Sequence, residues 1–159
     1  MPKPDILAGK RFGAVETKTV KCREVILMDK MFWKYVKPLS DPASVDSFER
    51  LHGVAFPDDL KRVLVANNGG RPSLRYYDLP NDRDKEFKTL LSFNAEDKEN
   101  IYTRYPVDSG DKSLLPFASD SAGNLFVVKD DGIWLWNHET DSSVFVASSF
   151  TAFMELLHK

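Results

Sequence analysis

FERLHGVAFPDDLKRVLVANNGGRPS, running from Phe48 to Ser73, reads as two short helices split by Gly53 and closed by Asn68-Gly69-Gly70. Val45, Phe48 and Leu51 recur at near-helical spacing, and Leu60, Val63 and Leu64 do so again. Pro57 suits the first turn of the second helix, where a missing N–H costs nothing. Asp58 and Asp59 then put negative charge at the positive end of that helix's dipole. Gly69 and Gly70 offer the left-handed or open backbone that ends a helix. Upstream, Asp41-Pro42-Ala43-Ser44 predicts a helix start, with Asp41 as cap and Pro42 in the first turn.

Downstream the pattern changes. Tyr76 to Lys85, YYDLPNDRDK, is polar and turn-rich and predicts an exposed loop. Glu86 to Phe93 predicts a strand that offers Phe87, Leu90, Leu91 and Phe93 to a core. Asn94 then caps an expected helix through Tyr102, ended by Tyr105-Pro106. The last third is β: strands at Leu114–Phe117, Leu125–Lys129, Ile133–His138 and Val144–Ala147. Asp130-Asp131-Gly132 predicts a tight hairpin in which glycine takes the positive φ. Ser148 or Ser149 caps a closing helix with Phe150, Phe153, Met154 and Leu157 on one face. Ile133 and Leu135 alternate with Trp134 and Trp136, so that strand needs cover on both faces. The second cover is a strand near Trp33, a long loop, or a partner. The expected fold is α+β, a mainly antiparallel curved sheet with an N-terminal helical pair and a C-terminal helix.

The order of these pieces resembles the SUKH superfamily, and within it the Smi/Knr type. The resemblance rests on Phe48-Glu49, on Gly53-x-x-x-Pro57 and on the helix that ends in Asn68-Gly69-Gly70. It continues through Trp33-Lys34-Tyr35-Val36-Lys37-Pro38-Leu39, Leu90-Leu91-Ser92-Phe93-Asn94 and Leu115-Pro116-Phe117-Ala118. Gly123-Asn124, Trp136-Asn137-His138-Glu139 and Ser149-Phe150-x-x-Phe153 complete it. Together these cover residues 31–159, expected as a single SUKH-like domain. Residues 1–30 lie outside the resemblance and are expected to be a weakly ordered N-terminal extension. The alternative is a hairpin of Val25–Met28 and Met31–Trp33 around Asp29-Lys30.

Composition narrows the function. The longest apolar runs fall far short of the ~20 residues of a membrane span. The first residues, MPKPDILAGKRFG, carry no apolar signal core. Cys22 is the single cysteine, so no internal disulfide forms, and a cytoplasmic address is expected. The net charge of −2 hides a split: residues 1–40 carry nine Lys/Arg against four Asp/Glu, residues 41–159 thirteen against twenty. An acidic body disfavours a phosphate backbone and suits a basic protein partner.

Catalytic constellations are weak. His52, His138 and His158 lack metal-ligand spacing, and no G-x-S-x-G elbow is present. Asp120 and Glu139 are a conceivable carboxylate pair, though both read more simply as turn residues. Asn68-Gly69-Gly70-Arg71 follows a helix, whereas a phosphate cradle leads into one. Arg50, Lys61 and Arg62 would be the contacts of a helix-turn-helix, but Asp58 and Asp59 oppose that reading. No cofactor, metal or direct nucleic-acid contact is expected.

The resemblance implies a non-catalytic immunity protein that binds and neutralises a bacterial toxin domain, often a nuclease, in the cytoplasm. A scaffold or regulator of cell-wall glucan synthesis is the alternative, and an unrecognised hydrolase the third. Asp78, Asp82, Asp84, Glu96 and Asp97 read either as a solvated face interspersed with Lys85, Lys88 and Lys98 or, functionally, as an acidic docking surface with Tyr76, Tyr77 and Tyr102 as aromatic anchors.

Overall fold

Both halves of the helical pair form, in a computed structural model that describes residues 31–159: α1 spans Ser44–His52 and α2 spans Asp58–Ala66. Val45 and Phe48 of α1 and Leu60 and Leu64 of α2 turn inward, while Leu51 stays exposed. Gly53 closes α1 at a φ of 63°, a left-handed turn that costs glycine nothing sterically. The start signals sit slightly earlier than expected. Pro57 is the N-cap of α2, and its carbonyl accepts the Lys61 N–H at 2.9 Å. Asp41 precedes α1 and builds the lead-in turn by accepting the Ala43 N–H at 2.9 Å, leaving Ala43 at the cap.

Glu49 joins the two helices. One carboxylate oxygen accepts the Phe56 N–H at 2.8 Å and the other meets the Lys61 ammonium at 2.6 Å. Asp46 meets the same ammonium at 2.6 Å, and these two hydrogen bonds push the Lys61 pKa up to about 12. Lys61 is therefore committed to the helical pair, as the packing interpretation of this motif requires.

Five strands form the main antiparallel sheet, in the order β5–β6–β7–β8–β9. They are Thr89–Leu90, Leu115–Ser119, Leu125–Lys129, Gly132–Asn137 and Ser142–Ala147. Pro116 has no N–H to give, and the β6–β7 ladder slips between Pro116 and Ala118. Between β7 and β8 the left-handed φ values fall on Asp130 and Asp131, at 51° and 62°. Gly132 instead opens β8, which corrects the expectation for this hairpin; aspartate tolerates the left-handed region better than most residues. Asp120 shapes the preceding turn by accepting the Ala122 and Asn124 N–H groups at 2.9 and 2.8 Å. The Asn124 side-chain oxygen in turn lies 2.9 Å from His138 Nδ1.

One sheet face carries Phe126 among Phe87, Phe153 and Tyr77, with ring centroids 4.9, 5.3 and 5.8 Å away. Such ring pairs add about 0.5–1.5 kcal/mol each beyond area burial. Phe153 belongs to α3, Phe150–Leu156, whose N-cap Ser149 accepts the Ala152 N–H at 3.0 Å. Asp59 of α2 reaches the same helix start and accepts both the Thr151 N–H and its hydroxyl. The other sheet face gathers Leu125, Val127 and Trp136 under Val107 and Leu114, with Trp134 packed beside them. The cover is thus the loop between Val107 and Leu114. Asp141 pins it, accepting Trp136 Nε1–H at 2.8 Å, the Ser109 hydroxyl at 2.5 Å and the Gly110 N–H at 3.0 Å.

Two segments depart from expectation. Residues 76–86 form a hairpin, β3 (Tyr76–Leu79) with β4 (Asp82–Glu86), rather than a loop. The C-terminal tail extends it, with Tyr76 and His158 exchanging backbone hydrogen bonds at 3.0 and 2.7 Å. The segment after Phe93 makes turns and a single 3-10 turn at Ile101–Thr103, capped by Asn100. Asn94 does not cap a helix: it is buried, accepting the Ser40 N–H and donating to the Pro38 carbonyl. Near the start, β1 (Trp33–Lys34) pairs with β2 (Arg71–Pro72). The hairpin expected around Asp29-Lys30 falls largely outside the described residues, as does the expected extension. Trp33–Lys159 forms one compact unit. No helix among the described residues is long and apolar enough to cross a membrane.

Candidate functional site

Asn68 is a buried polar hub. Its amide nitrogen donates to the Lys37 carbonyl at 2.8 Å and to Ser92 Oγ at 3.0 Å, and its oxygen accepts the Phe93 N–H at 2.8 Å. Three separate segments are thereby held together. Gly70 completes the join through absence of a side chain: a Cβ there would stand 2.8 Å from the Asn67 carbonyl oxygen and 3.2 Å from Val36. The Leu90 N–H then reaches the Gly70 carbonyl at 2.9 Å, carrying β2 alongside β5. Asn-Gly-Gly therefore does more than stop α2, which has already ended at Ala66.

Above this join lies an open groove of about 400 Å³. Gly69, Thr89, Leu90 and Ser92 line its floor. Tyr35, Lys37 and Arg71 border it, as do Lys88, Lys98 and Glu99. Lys88 pairs with Glu99 at 2.6 Å, and Ser119 donates to the second Glu99 oxygen at 3.0 Å. Burial opposes the Glu99 charge, yet these two hydrogen bonds hold its pKa below the usual glutamate value. The Arg71 guanidinium lies 5.6 Å from the Tyr35 ring centroid, within cation–π range. The floor hydroxyls are already used, Thr89 donating to the Gly69 carbonyl and Ser92 to Asp97. Donors available to an incoming group are thus the cationic side chains.

The acidic residues expected to form one face fall on two separate elements. Asp78, Asp82, Asp84 and Tyr76 belong to the β3–β4 hairpin, whereas Glu96, Asp97 and Tyr102 belong to the turns after Phe93. Tyr77 is not a surface anchor: it is fully buried, and burial pushes its phenol pKa well up. Its hydroxyl has no hydrogen-bond partner among the described residues. Asp97 is half-buried and accepts the Ser92 hydroxyl at 2.5 Å, so it serves the interior of the groove floor rather than a free rim.

The remaining residues keep surface exposure. Asp82 pairs with Lys85 at 2.8 Å, and Tyr76 carries Arg75 over its ring at 5.2 Å. Glu96 and Tyr102 border a second hollow of about 280 Å³, next to Phe48 and the exposed Leu51. Tyr102 is fixed there by donating to the Phe93 carbonyl at 2.9 Å.

Asp78, Asp84 and His158 place ligand-type atoms within 4.8 Å of one another. Asp78 already accepts the Asp84 N–H at 2.8 Å and lies 3.4 Å from His158 Nε2. Those contacts hold the Asp78 pKa down, the Asp84 N–H contributing most, and they tie Asp78 to the hairpin and the C-terminal tail. The Asp120 oxygens are engaged in their turn, and Glu139 sits in another, its N–H donating to Asn137.

Sequence reasoning passed over the groove. Its cations come from four places, at Lys37, Arg71, Lys88 and Lys98, and the last two read as neutralisers of nearby acids. The available signal was Arg71 directly after Asn-Gly-Gly. No curated protein and no solved structure matches the chain. The sequence model of the SMI1 / KNR4 family (SUKH-1) matches residues 40–156, most of the chain, and the chain belongs to that family.

Proposed function

We propose that this protein is a non-catalytic immunity protein, which binds and neutralises a cognate toxin domain in the cytoplasm of the cell that makes it. The observation that carries the reading is the family match over residues 40–156. The geometry is in keeping with binding: the open groove and the neighbouring hollow are bordered by side chains suited to contact, with Tyr35 and Tyr102 exposed at their rims. Inhibition by occlusion asks for complementary surface rather than a reactive group. The acidic excess of residues 41–159 favours approach of a basic toxin, steering it over distances within the screening length.

The test is rescue. The chain is co-expressed with the toxin encoded beside it, and survival and co-purification are measured. A single partner recovered at near-equal stoichiometry, with restored growth, supports the proposal. Recovery of several host proteins together with a wall defect on deletion would replace it with a scaffolding role. Neutralising Asp78, Asp82, Asp84 and Glu96 should slow association most at low salt; unchanged rates would remove the acidic steering surface alone.

A further inference from the structure

Three observations converge on the groove above Asn68. First, it is concave, and its ~400 Å³ falls within the size range of a specific binding site. Second, its border holds four cations against one carboxylate, and that carboxylate is already matched by Lys88. Lys37 and Lys98 have no ion-pair partner among the described residues. Third, Tyr35 stands at the rim with a φ of 57° and is 72% exposed. A bulky aromatic in the left-handed region is strained by ~1–2 kcal/mol, and strain of that kind gathers at ligand clamps. The strained backbone presents a large ring to solvent beside Arg71, where burial in the core gives no reason for it.

From these we infer that the groove bordered by Tyr35, Lys37, Arg71 and Lys98 is the docking site for an acidic polypeptide segment, whose Asp or Glu carboxylates are gripped by these cations. Arg71 offers a planar fork suited to two-point contact with a carboxylate. Lys37 and Lys98 offer point charges on flexible stems. Leu90 on the floor and the Tyr35 ring give apolar cover to the segment between its charges. A small phosphate is a poorer occupant, because one compact anion meets only part of a border whose cations come from four segments, whereas a segment with several carboxylates meets them together. A nucleic-acid backbone is poorer still, because a continuous phosphate chain extends past the groove onto the acidic body, whereas a short acidic segment ends within it.

This inference rests on the reading of the protein as a binder. It adds a local polarity opposite to the body's net charge. A basic toxin that also carries one acidic segment would meet both signs in one orientation only, so the groove sets register while the body sets the rate of approach.

The test uses the full chain, 15N-labelled and titrated with a hexaglutamate peptide at low salt. Expected are amide shifts confined to residues 35–37, 69–71, 88–92 and 98–99. The K37A/R71A/K98A variant should weaken binding about tenfold, whereas K112A, a lysine outside the groove, should leave it unchanged. K98E alone alters an exposed turn residue without touching a strand, and should weaken binding about threefold. Shifts scattered over the surface, or equal effects of K112A and K98E, would overturn the site. Tighter binding of inorganic phosphate or of an oligothymidylate at the same amides would overturn the polypeptide assignment. The toxin then separates the two readings. If the triple variant binds and neutralises it like wild type, the groove assignment fails and the immunity reading stands. If no toxin is neutralised but hexaglutamate still maps to the groove, the immunity reading fails and the site stands.

Discussion

Replacing Asn68 by alanine tests the hub directly. The buried Phe93 N–H loses its acceptor among the described residues, a loss worth about 1–3 kcal/mol for an unsatisfied buried donor. Two further hydrogen bonds, to the Lys37 carbonyl and to Ser92 Oγ, add about 0.5–1.5 kcal/mol each. The total centres on about 4 kcal/mol. For a chain of this size that corresponds to a fall in Tm of about 8–16 °C. Urea and thermal unfolding, followed by fluorescence of Trp33, Trp134 and Trp136, would measure it. Asn68→Asp keeps an acceptor for Phe93 but sets a carboxylate oxygen against the Lys37 carbonyl. Its deficit should shrink on acidification, because only the protonated acid can donate there. A loss below about 1 kcal/mol for Asn68→Ala would refute the hub and return the residue to a role in ending α2.

Tyr77→Phe removes a buried hydroxyl that has no partner among the described residues, so stability should hold or rise by up to about 1 kcal/mol; a loss larger than that in urea unfolding would mean that the hydroxyl is satisfied. Gly70→Ala drives a Cβ against the Asn67 carbonyl oxygen at 2.8 Å and should cost about 2 kcal/mol or more. Gly53→Ala meets nothing within 4 Å and bears only the left-handed φ, about 1 kcal/mol, so equal costs for the two would contradict the geometry. Hydrogen bonds from the Gly110 N–H, then Ser109 and Trp136, hold the Asp141 pKa down to about 2. Because its folded pKa lies below the unfolded value of about 4, the stabilisation is present above pH ~4 and is lost as pH falls toward 2. Asp141→Asn should flatten that part of the acid titration, and superimposable curves for variant and wild type would exclude the coupling.

Legibility followed locality. Ser149 capping α3, Gly53 ending α1 and the alternation through Ile133–Trp136 depend on neighbours in the chain, and each was readable. The β3–β4 hairpin was not, because its outward residues are Asp78, Asp82 and Asp84, and a strand with one inward tyrosine reads as a polar loop. Its pairing is completed by His158, eighty-odd positions away, which no local pattern announces. Asn94 looked like a helix cap because Asn before Glu-Asp is good capping chemistry. The Ser40 N–H and Pro38 carbonyl claimed its side chain first. The groove was hidden for the same reason: its cations lie on four segments, which long-range contacts bring together, the Asn68 hub and the Leu90 N–H to Gly70 carbonyl bond among them.

The loop over Trp136 has a further consequence, for colloidal behaviour. Asp111 bonded to Lys129 at 2.7 Å and Asp141 bonded to Ser109 and Gly110 are its polar fastenings, and both carboxylates have depressed pKa values. Acid therefore loosens this cover, whereas the opposite face is held chiefly by the packed rings of Phe87, Phe126 and Phe153 beneath α3. Val107, Leu114, Leu125, Val127 and Trp136 would then meet solvent as one contiguous apolar patch. A chain opened on that side is adhesive while its sheet is still intact, so turbidity should precede loss of β-sheet circular dichroism as pH is lowered.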